Sequence, residues 1–179
     1  MKNYLVVIGF ALSLMMTACE PPQNKLRTRI EEAEMSLSND SLADISITKG
    51  DSLIAMYLNY NDQYKDDTLC ADYFFRAADL SMKIGKAQQA VDLYGKIQRF
   101  PNYRKTARAL FLQGFISENN LHDIESAKGY YERFLKQYPN HAMAGDVKLM
   151  LDNIGISPEE MVKQFEAKLA AQDSLAHAK

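Results

Sequence analysis

The chain has 179 residues, of which 47% are hydrophobic and 25% charged, and its formal net charge at pH 7 is −2. That length allows one domain, or several short repeats, with a real hydrophobic core, and the composition is that of an ordinary globular protein. No excess of lysine and arginine is available to neutralise a phosphate backbone, so nucleic acid is not expected as a partner.

Residues 1–18 have the organisation of an export signal. Lys2 supplies the positive start, and the apolar run from Tyr4 to Met16 is shorter than the about 20 residues that a membrane-spanning helix needs. The motif at 16–19, Met-Thr-Ala-Cys, resembles a bacterial lipobox. This resemblance implies that Cys19 becomes the first mature residue and carries a lipid. Cleavage nearby as an ordinary secretory signal is the alternative.

Residues 19–24 are predicted to form a lipidated tether. The five residues after the cysteine reach at most about 17 Å, so the first helix is expected near the bilayer surface. Lys25, Arg27 and Arg29 follow at once and are interpreted as a solvated helix face, with contact to anionic headgroups as the alternative. In some Gram-negative lipoproteins an acidic cluster after the cysteine directs export to the cell surface. Here a single acidic residue, Glu20, is followed by prolines, which favours the periplasmic side of the membrane.

Two helices are predicted ahead of the central part of the chain. The first runs from Leu26 to Leu37 and ends at the polar residues that follow it. The second runs from Ile47 to Tyr64, where Leu53 and Tyr57 keep a four-residue spacing. This second helix is interpreted as the closing helix of a decayed repeat, since terminal repeats are commonly atypical.

The stretch 71–139 contains one pattern twice. Four pairs lie 37 residues apart, namely Phe74 and Phe111, Ala77 and Gly114, Ala90 and Ala127, and Tyr94 and Tyr131, while Phe100-Pro101 and Tyr138-Pro139 are one residue further apart. Such a period predicts stacked repeats of two helices. The small residues are expected where the two helices approach closely, and Pro101 and Pro139 are expected to end the second helix of each copy.

A small residue, a second one thirteen positions on, an aromatic four further and a closing proline together resemble the tetratricopeptide repeat. The segment from Ala107 to Gly155 is similar to repeats of two groups of Gram-negative lipoproteins, those of the β-barrel assembly machinery and the Tol–Pal coordinator. A tryptophan and a tyrosine usual in the first helix are missing, with Ser117 in the tyrosine's place. The resemblance covers roughly Gly50 to Gly155 and implies an all-α fold, an α-solenoid of about three repeats plus C-terminal capping helices. The repeat domain is predicted over residues 25–155.

Two further helices are predicted towards the end of the chain. One runs from His141 to Asn153. The other spans 156–172 and begins at a serine cap followed by proline and a glutamate that completes a capping box. Its apolar side chains at four-residue spacing are expected to cover the last repeat: Met161, Phe165 and Leu169. Residues 173–179 are predicted to be a flexible polar tail.

Four triplets read aspartate, serine or threonine, and an apolar residue. They are similar to the O-glycosylation sequence of some Gram-negative periplasmic proteins, which implies acceptors at Ser41, Ser52, Thr68 and Ser174. Helix capping is the alternative interpretation, because aspartate and serine are preferred caps ahead of apolar runs.

No catalytic or metal-binding motif is present in the sequence. The three histidines are isolated, and there is no HExxH, CxxC, phosphate-binding loop or GxSxG motif. Cys70 is interpreted as a small hydrophobe packed at a helix start, with a reactive thiol as the alternative. We therefore expect no metal, no cofactor, no small-molecule substrate and no enzymatic activity.

The resemblance implies a binding module whose first helices line a concave face where segments of other proteins dock. The candidates on that face are Phe74, Ala78, Arg108, Phe111 and Phe115. By the same resemblance the protein is a lipid-anchored outer-membrane scaffold, facing the periplasm, that holds an envelope protein of an assembly or coordination complex. The alternatives are a structural bridge between outer membrane and peptidoglycan, and an envelope hydrolase or thiol enzyme acting through Cys70.

Overall fold

The computed structural model describes residues 21–38 and 46–156 and, between 159 and 170, all but 161, 164 and 168. Within these residues the chain is helical or in turns, without a strand. The helices are α1 (Pro22–Ser38), α2 (Ile47–Gln63), α3 (Leu69–Lys83), α4 (Ala87–Ile97), α5 (Thr106–Asn119), α6 (Ile124–Gln137) and α7 (Ala144–Asn153). The predicted all-α fold is confirmed.

Each of these helices packs mainly against its neighbours in the chain. Short turns make successive helices antiparallel, so α3 pairs with α4 and α5 with α6, while α1 and α2 form the pair before them. Stacking of such pairs produces an α-solenoid. The predicted architecture is therefore also confirmed.

The buried side chains form two clusters. The larger extends from α1 to α5 and includes Tyr60 and Tyr94, and the smaller joins α5, α6 and α7 around Tyr131, Phe134 and Val147. All three tyrosines are at most 2% exposed. Aromatic rings bury a large area between helices, which explains why so many of the tyrosines belong to the core.

The first helix begins earlier than predicted. Pro22 holds its first position, where the missing amide proton is no loss and the fixed φ suits a helix. The amides of Asn24 and Lys25 donate to the carbonyl of Pro21 at 2.9 and 3.2 Å. The prediction of a tether as far as residue 24 is therefore wrong from Pro22 onward.

The start of α1 is also fixed to the rest of the protein. The side-chain amide of Gln23 donates to the hydroxyl of Tyr60 at 2.8 Å and to Asp67 Oδ2 at 2.5 Å, and the Tyr60 hydroxyl donates to the same carboxylate at 2.6 Å. Burial of Tyr60 and its hydrogen bond to Asp67 raise the pKa of the phenol to about 12. The phenol therefore stays a neutral donor, and α1 is held against the loop between α2 and α3.

The end of the chain differs from its prediction in one helix start. α7 begins at Ala144 instead of His141, because the amide of Ala144 closes a turn onto the His141 carbonyl at 2.9 Å. Beyond it, the described residues between 159 and 170 are helical. Val162, Phe165 and Leu169 are 56%, 63% and 46% exposed there. The capping role of this segment stays a prediction.

Several predictions fall outside the described residues, namely the signal peptide 1–18, Cys19, Ser41, Ser174 and the tail 173–179. They stay predictions. Of the helices that the structure does describe, none combines the length and the apolar character needed to cross a bilayer.

Candidate protein-binding face

The second helices of the two repeats bury the same positions, as the 37-residue period predicts. Ala90 and Ala127 are fully buried, and Tyr94 and Tyr131 are 2% and 0% exposed. The ring of Tyr131 lies against the backbone of Gly114, where an added Cβ atom would stand 2.5 Å from its Cε1. Gly114 therefore occupies a close helix approach in the second repeat.

The first helices follow a period of 36. The carbonyls of two buried serines, Ser81 and Ser117, each accept from the residue just before the next helix, Lys86 and Asp123, at 2.8 Å. The serines lie 36 residues apart and the two donors 37. The extra residue is in the turn between α5 and α6, where His122 adopts a φ of 54°.

This register corrects two predicted pairs. Ala78, not Ala77, is the equivalent of Gly114, and Phe74 corresponds to Leu110 instead of Phe111. Matches along the sequence show that a residue is added but not where in the repeat it lies. Pro101 and Pro139 are exposed and follow the ends of α4 and α6.

A stripe of accessible side chains recurs on α3 and α5 at the 36-residue spacing. We call it the first-helix face, and it consists of Asp72, Arg76, Asp79 and Lys83 on α3 and Arg108, Leu112, Phe115 and Asn119 on α5. The α3 half carries four charges, whereas the centre of the α5 half is apolar. The face therefore changes from charged to apolar along one surface.

Three of the predicted contact residues lie on or beside this face. Arg108 is exposed, Phe115 is 38% exposed, and Phe111 is half-buried at its edge with its ring centroid 6.0 Å from that of Phe115. Phe74 and Ala78 are 5% and 0% exposed and belong to the core. Their prediction as partner contacts is wrong, because the one-residue shift moves them to core positions.

The α3 half of the face was missed by the sequence reasoning. The signal was present, since Asp72, Arg76, Asp79 and Lys83 repeat at helical spacing on one side of a helix that is otherwise apolar. These four positions carry no aromatic residue, so the repeat of aromatic positions does not include them.

Arg76 connects three helices within this half. Its Nη1 lies 2.8 Å from Glu34 Oε1 on α1, and its Nε lies 2.6 Å from Asp72 Oδ2 one turn earlier on α3. The hydroxyl of Tyr57 on α2 donates to the same Glu34 oxygen at 2.6 Å. Long side chains are thus held in one arrangement, which gives the charged half a defined shape.

Asp72 connects this half to the start of α5. It accepts from the hydroxyl of Tyr103 at 2.8 Å, and Lys105 Nζ lies 3.5 Å away. Burial alone would raise the pKa of Asp72, but the hydrogen bond from Tyr103 and the charges of Arg76 and Lys105 outweigh it and hold that pKa below its usual value. The carboxylate of Asp72 therefore stays ionised to a lower pH than an unperturbed aspartate.

Acid is expected to weaken this connection. The pKa of Asp72 is lower in the folded than in the unfolded chain, so its contribution is complete above the unfolded value of about 3.9 and is lost as pH falls through the folded value. The free energy of unfolding, measured with urea between neutral and acidic pH, should therefore decrease less steeply in Asp72→Asn than in wild type. Asp62→Asn, at an exposed carboxylate on α2, is the control, and an equal slope in both variants would contradict the assignment.

A second surface feature is a groove of about 910 Å³ between the α2–α3 loop and α4, with Cys70 and Phe74 among its lining residues. Cys70 is only 1% exposed, and its Sγ lies 3.1 Å from the carbonyl oxygen of Tyr64. Burial, with Asp67 nearby, raises the pKa of this thiol. A nucleophilic cysteine needs the opposite shift, so the groove offers no activated thiol.

Two of the predicted glycosylation acceptors, Ser52 and Thr68, are exposed. In the triplet that contains Thr68, the carboxylate of Asp67 accepts from the amide of Leu69 at 2.8 Å in a local turn, whereas Thr68, the N-cap residue of α3, forms no side-chain capping hydrogen bond. Glycosylation stays a prediction. Across the described residues, no group of three or more histidine, cysteine, aspartate or glutamate side chains could hold a metal ion.

Comparison with known proteins agrees with this geometry. Residues 108–141 match the family model of the Tetratricopeptide repeat, a stretch that includes most of α5, all of α6 and the turn at Pro139. No curated protein matches the chain. Tetratricopeptide repeats generally mediate protein–protein interaction and are typically not enzymes, and the matched residues form one helix pair of this α-solenoid.

Proposed function

We propose that this protein is a non-enzymatic scaffold of the Gram-negative envelope, anchored in the outer membrane through Cys19 and facing the periplasm. Its first-helix face holds a polypeptide segment of an assembly or coordination complex. One observation carries the proposal: α3 and α5 leave open a continuous surface with a charged half and an apolar half. The membrane location rests on the lipobox-like sequence alone.

The apolar half supplies the anchor of the binding surface. Phe115 projects beside Leu112 and Phe111 from a rigid helix, so it loses little conformational freedom when a partner covers it. Aromatic side chains near the centre of an interface commonly carry much of the binding energy. The segment that fits has apolar side chains towards α5 and charged or polar ones towards α3.

The charged half supplies orientation more than affinity. Arg76 and Asp72 already bind each other, so a partner gains little from either charge alone. Lys83 is exposed at one end of the face and Arg108 at the other. Two acidic groups at matching distances on the partner would thus align the segment along the helices.

Photocrosslinking in native membranes tests the proposal. A photoreactive phenylalanine analogue at position 115 should capture a protein partner, whereas the same analogue at Ile124, which is 40% exposed on α6, should not. Phe115→Ala should lower recovery of the partner by about tenfold or more, as expected for a hot-spot residue. Equal capture from both positions would count against a partner on this face.

Further measurements test the structural-bridge alternative, the acylation of Cys19 and the predicted glycosylation. If isolated cell wall retains wild type and Phe115→Ala equally and no protein is captured, the protein is a structural bridge. The intact mass of the chain from native membranes, compared with Cys19→Ser, reports acylation. The same measurement against protein made in a heterologous host reports glycosylation.

A further inference from the structure

We propose that the repeat domain stands end-on against the bilayer, and that Arg99 and Arg104 in the α4–α5 loop bind the phosphates of anionic phospholipid headgroups. The inference rests on the lipid anchor of the proposed function. It adds an orientation and a lipid-binding site that the protein-binding face does not require.

Topology places the loop next to the anchor. Because successive helices are antiparallel, the loops 64–68, 98–105 and 138–143 lie at the same end of the stack as the start of α1, and we call this the anchor end. Cys19 precedes Pro22 by three residues, so even an extended chain spans only about 10 Å. The hydrogen bonds of Gln23 to Tyr60 and Asp67 then prevent α1 from swinging away.

The α4–α5 loop has the charge that an anionic surface attracts. Residues 96–108 include five cations and no acidic residue, in a chain whose net charge is −2. Lys105 and Arg108 face α3, where both lie over the ring of Phe75. Arg99 and Arg104 are exposed and form no ion pair with any described residue. The guanidinium of Arg99 lies over the ring of Phe74, and its Nε donates to the carbonyl of Lys96 at 3.3 Å, which leaves its two terminal nitrogens available.

The two arginines border a cavity of about 550 Å³. The residues between them, Phe100, Pro101 and Tyr103, line it with apolar surface, and Thr68 adds a hydroxyl from the neighbouring loop. Guanidinium groups bind phosphate oxygens through paired hydrogen bonds. The cavity therefore offers two arginines to the phosphate of a phospholipid and an apolar lining to the glycerol region beside it.

An acidic polypeptide would also meet these arginines, but the observations favour lipid. The acyl anchor would hold the loop near the headgroups permanently, which raises their effective concentration. The adjacent loop 64–68 carries Asp66 and Asp67, and Asp67 is already engaged by Tyr60 and Gln23. The loop 138–143 contains no acidic residue. In these three loops the four cations, Lys65, Arg99, Arg104 and Lys105, outnumber the two carboxylates, so the attraction of the anchor end to an anionic bilayer exceeds the repulsion.

Vesicle sedimentation tests the inference on the mature full-length chain carrying Cys19→Ser, so that no acyl group contributes. Binding is expected to vesicles that contain phosphatidylglycerol and not to pure phosphatidylcholine, and it should weaken as salt is added. Arg99→Gln together with Arg104→Gln should reduce it by about 25-fold, roughly fivefold for each cation. The matched control pair, Lys83→Gln with Lys128→Gln, removes the same charge away from the anchor end and should change it less than about twofold.

Three results would overturn the inference. They are no binding to the anionic vesicles, equal losses in the two variant pairs with unchanged circular dichroism, and preferential binding of a polyglutamate peptide. None of them depends on acylation, which the mass of the native protein reports separately. Phe115→Ala should bind vesicles like the unsubstituted chain, so failure of the partner face and failure of this site are distinguishable.

Discussion

Replacing Tyr131 by alanine is expected to lower the free energy of unfolding by about 3–5 kcal/mol, the range for removing a large buried aromatic side chain. Tyr131 is fully buried in the second repeat. Its ring stacks on that of Phe111 with centroids 6.3 Å apart and covers the backbone of Gly114. Its hydroxyl donates to Glu118 at 2.8 Å. Truncation would leave a cavity that two packed helices cannot close.

Urea unfolding followed by circular dichroism measures this loss, and two variants calibrate it. Tyr131→Phe keeps the ring and should cost about 1 kcal/mol for the hydrogen bond. Tyr130→Ala truncates the half-buried neighbour and should cost less than half as much as Tyr131→Ala, because less area leaves water on folding. Equal losses for the two alanine variants would show that Tyr131 is not at the centre of the repeat.

Equivalent tyrosines, Tyr94 and Tyr131, are buried in the two repeats, but their hydroxyl groups bond to carboxylates at different positions. The hydroxyl of Tyr94 bonds to Asp79 on the first helix of its own repeat, and that of Tyr131 bonds to Glu118. With the 36-residue register, Asp79 corresponds to Phe115 instead of Glu118. Each repeat therefore supplies a carboxylate from a different turn of the helix. The longer side chain of glutamate makes the second arrangement reachable.

The second helices could be predicted from the sequence because their constraints are local. Ala90, Tyr94, Ala127 and Tyr131 repeat with one period and lie on the face that the first helix covers. Small and large residues alternate there as close packing between two helices requires. Where one local rule determines packing, a match between two copies is enough to place the residue.

The first-helix face could not be predicted in the same way. Which side of α3 stays open depends on where α1, α2 and α4 pack, and one extra residue in the α5–α6 turn rotates the comparison by about 100°, one step of a helix with 3.6 residues per turn. With that rotation the core residue Phe74 is matched to the half-buried Phe111 and is wrongly predicted as a partner contact. The bonds from Arg76 to Glu34 and from Gln23 to Asp67 join residues 42 and 44 positions apart. No local pattern determines contacts at that distance.

Two glycine-to-alanine substitutions in the same repeat are expected to change stability in opposite directions. At Gly114 a Cβ atom would lie 2.5 and 2.7 Å from two atoms of the buried Tyr131 ring. Overpacking of this kind costs about 1–3 kcal/mol. At Gly129, in the middle of α6, a Cβ atom meets nothing within 4 Å. There alanine should raise the free energy of unfolding by about 0.5–1 kcal/mol, since glycine is the poorer helix former.

Thermal and urea unfolding of the two variants measure the difference, and the double variant Gly114→Ala with Tyr131→Ala identifies its cause. If the clash with the ring destabilises Gly114→Ala, removing the ring removes the clash, and the added methyl group fills part of the cavity. The combined loss should then be smaller than the sum of the single losses by about 1 kcal/mol or more, as is found for residues in direct contact. Strict additivity would mean that the two helices do not meet at Gly114, and the close approach that defines this repeat would have to lie elsewhere.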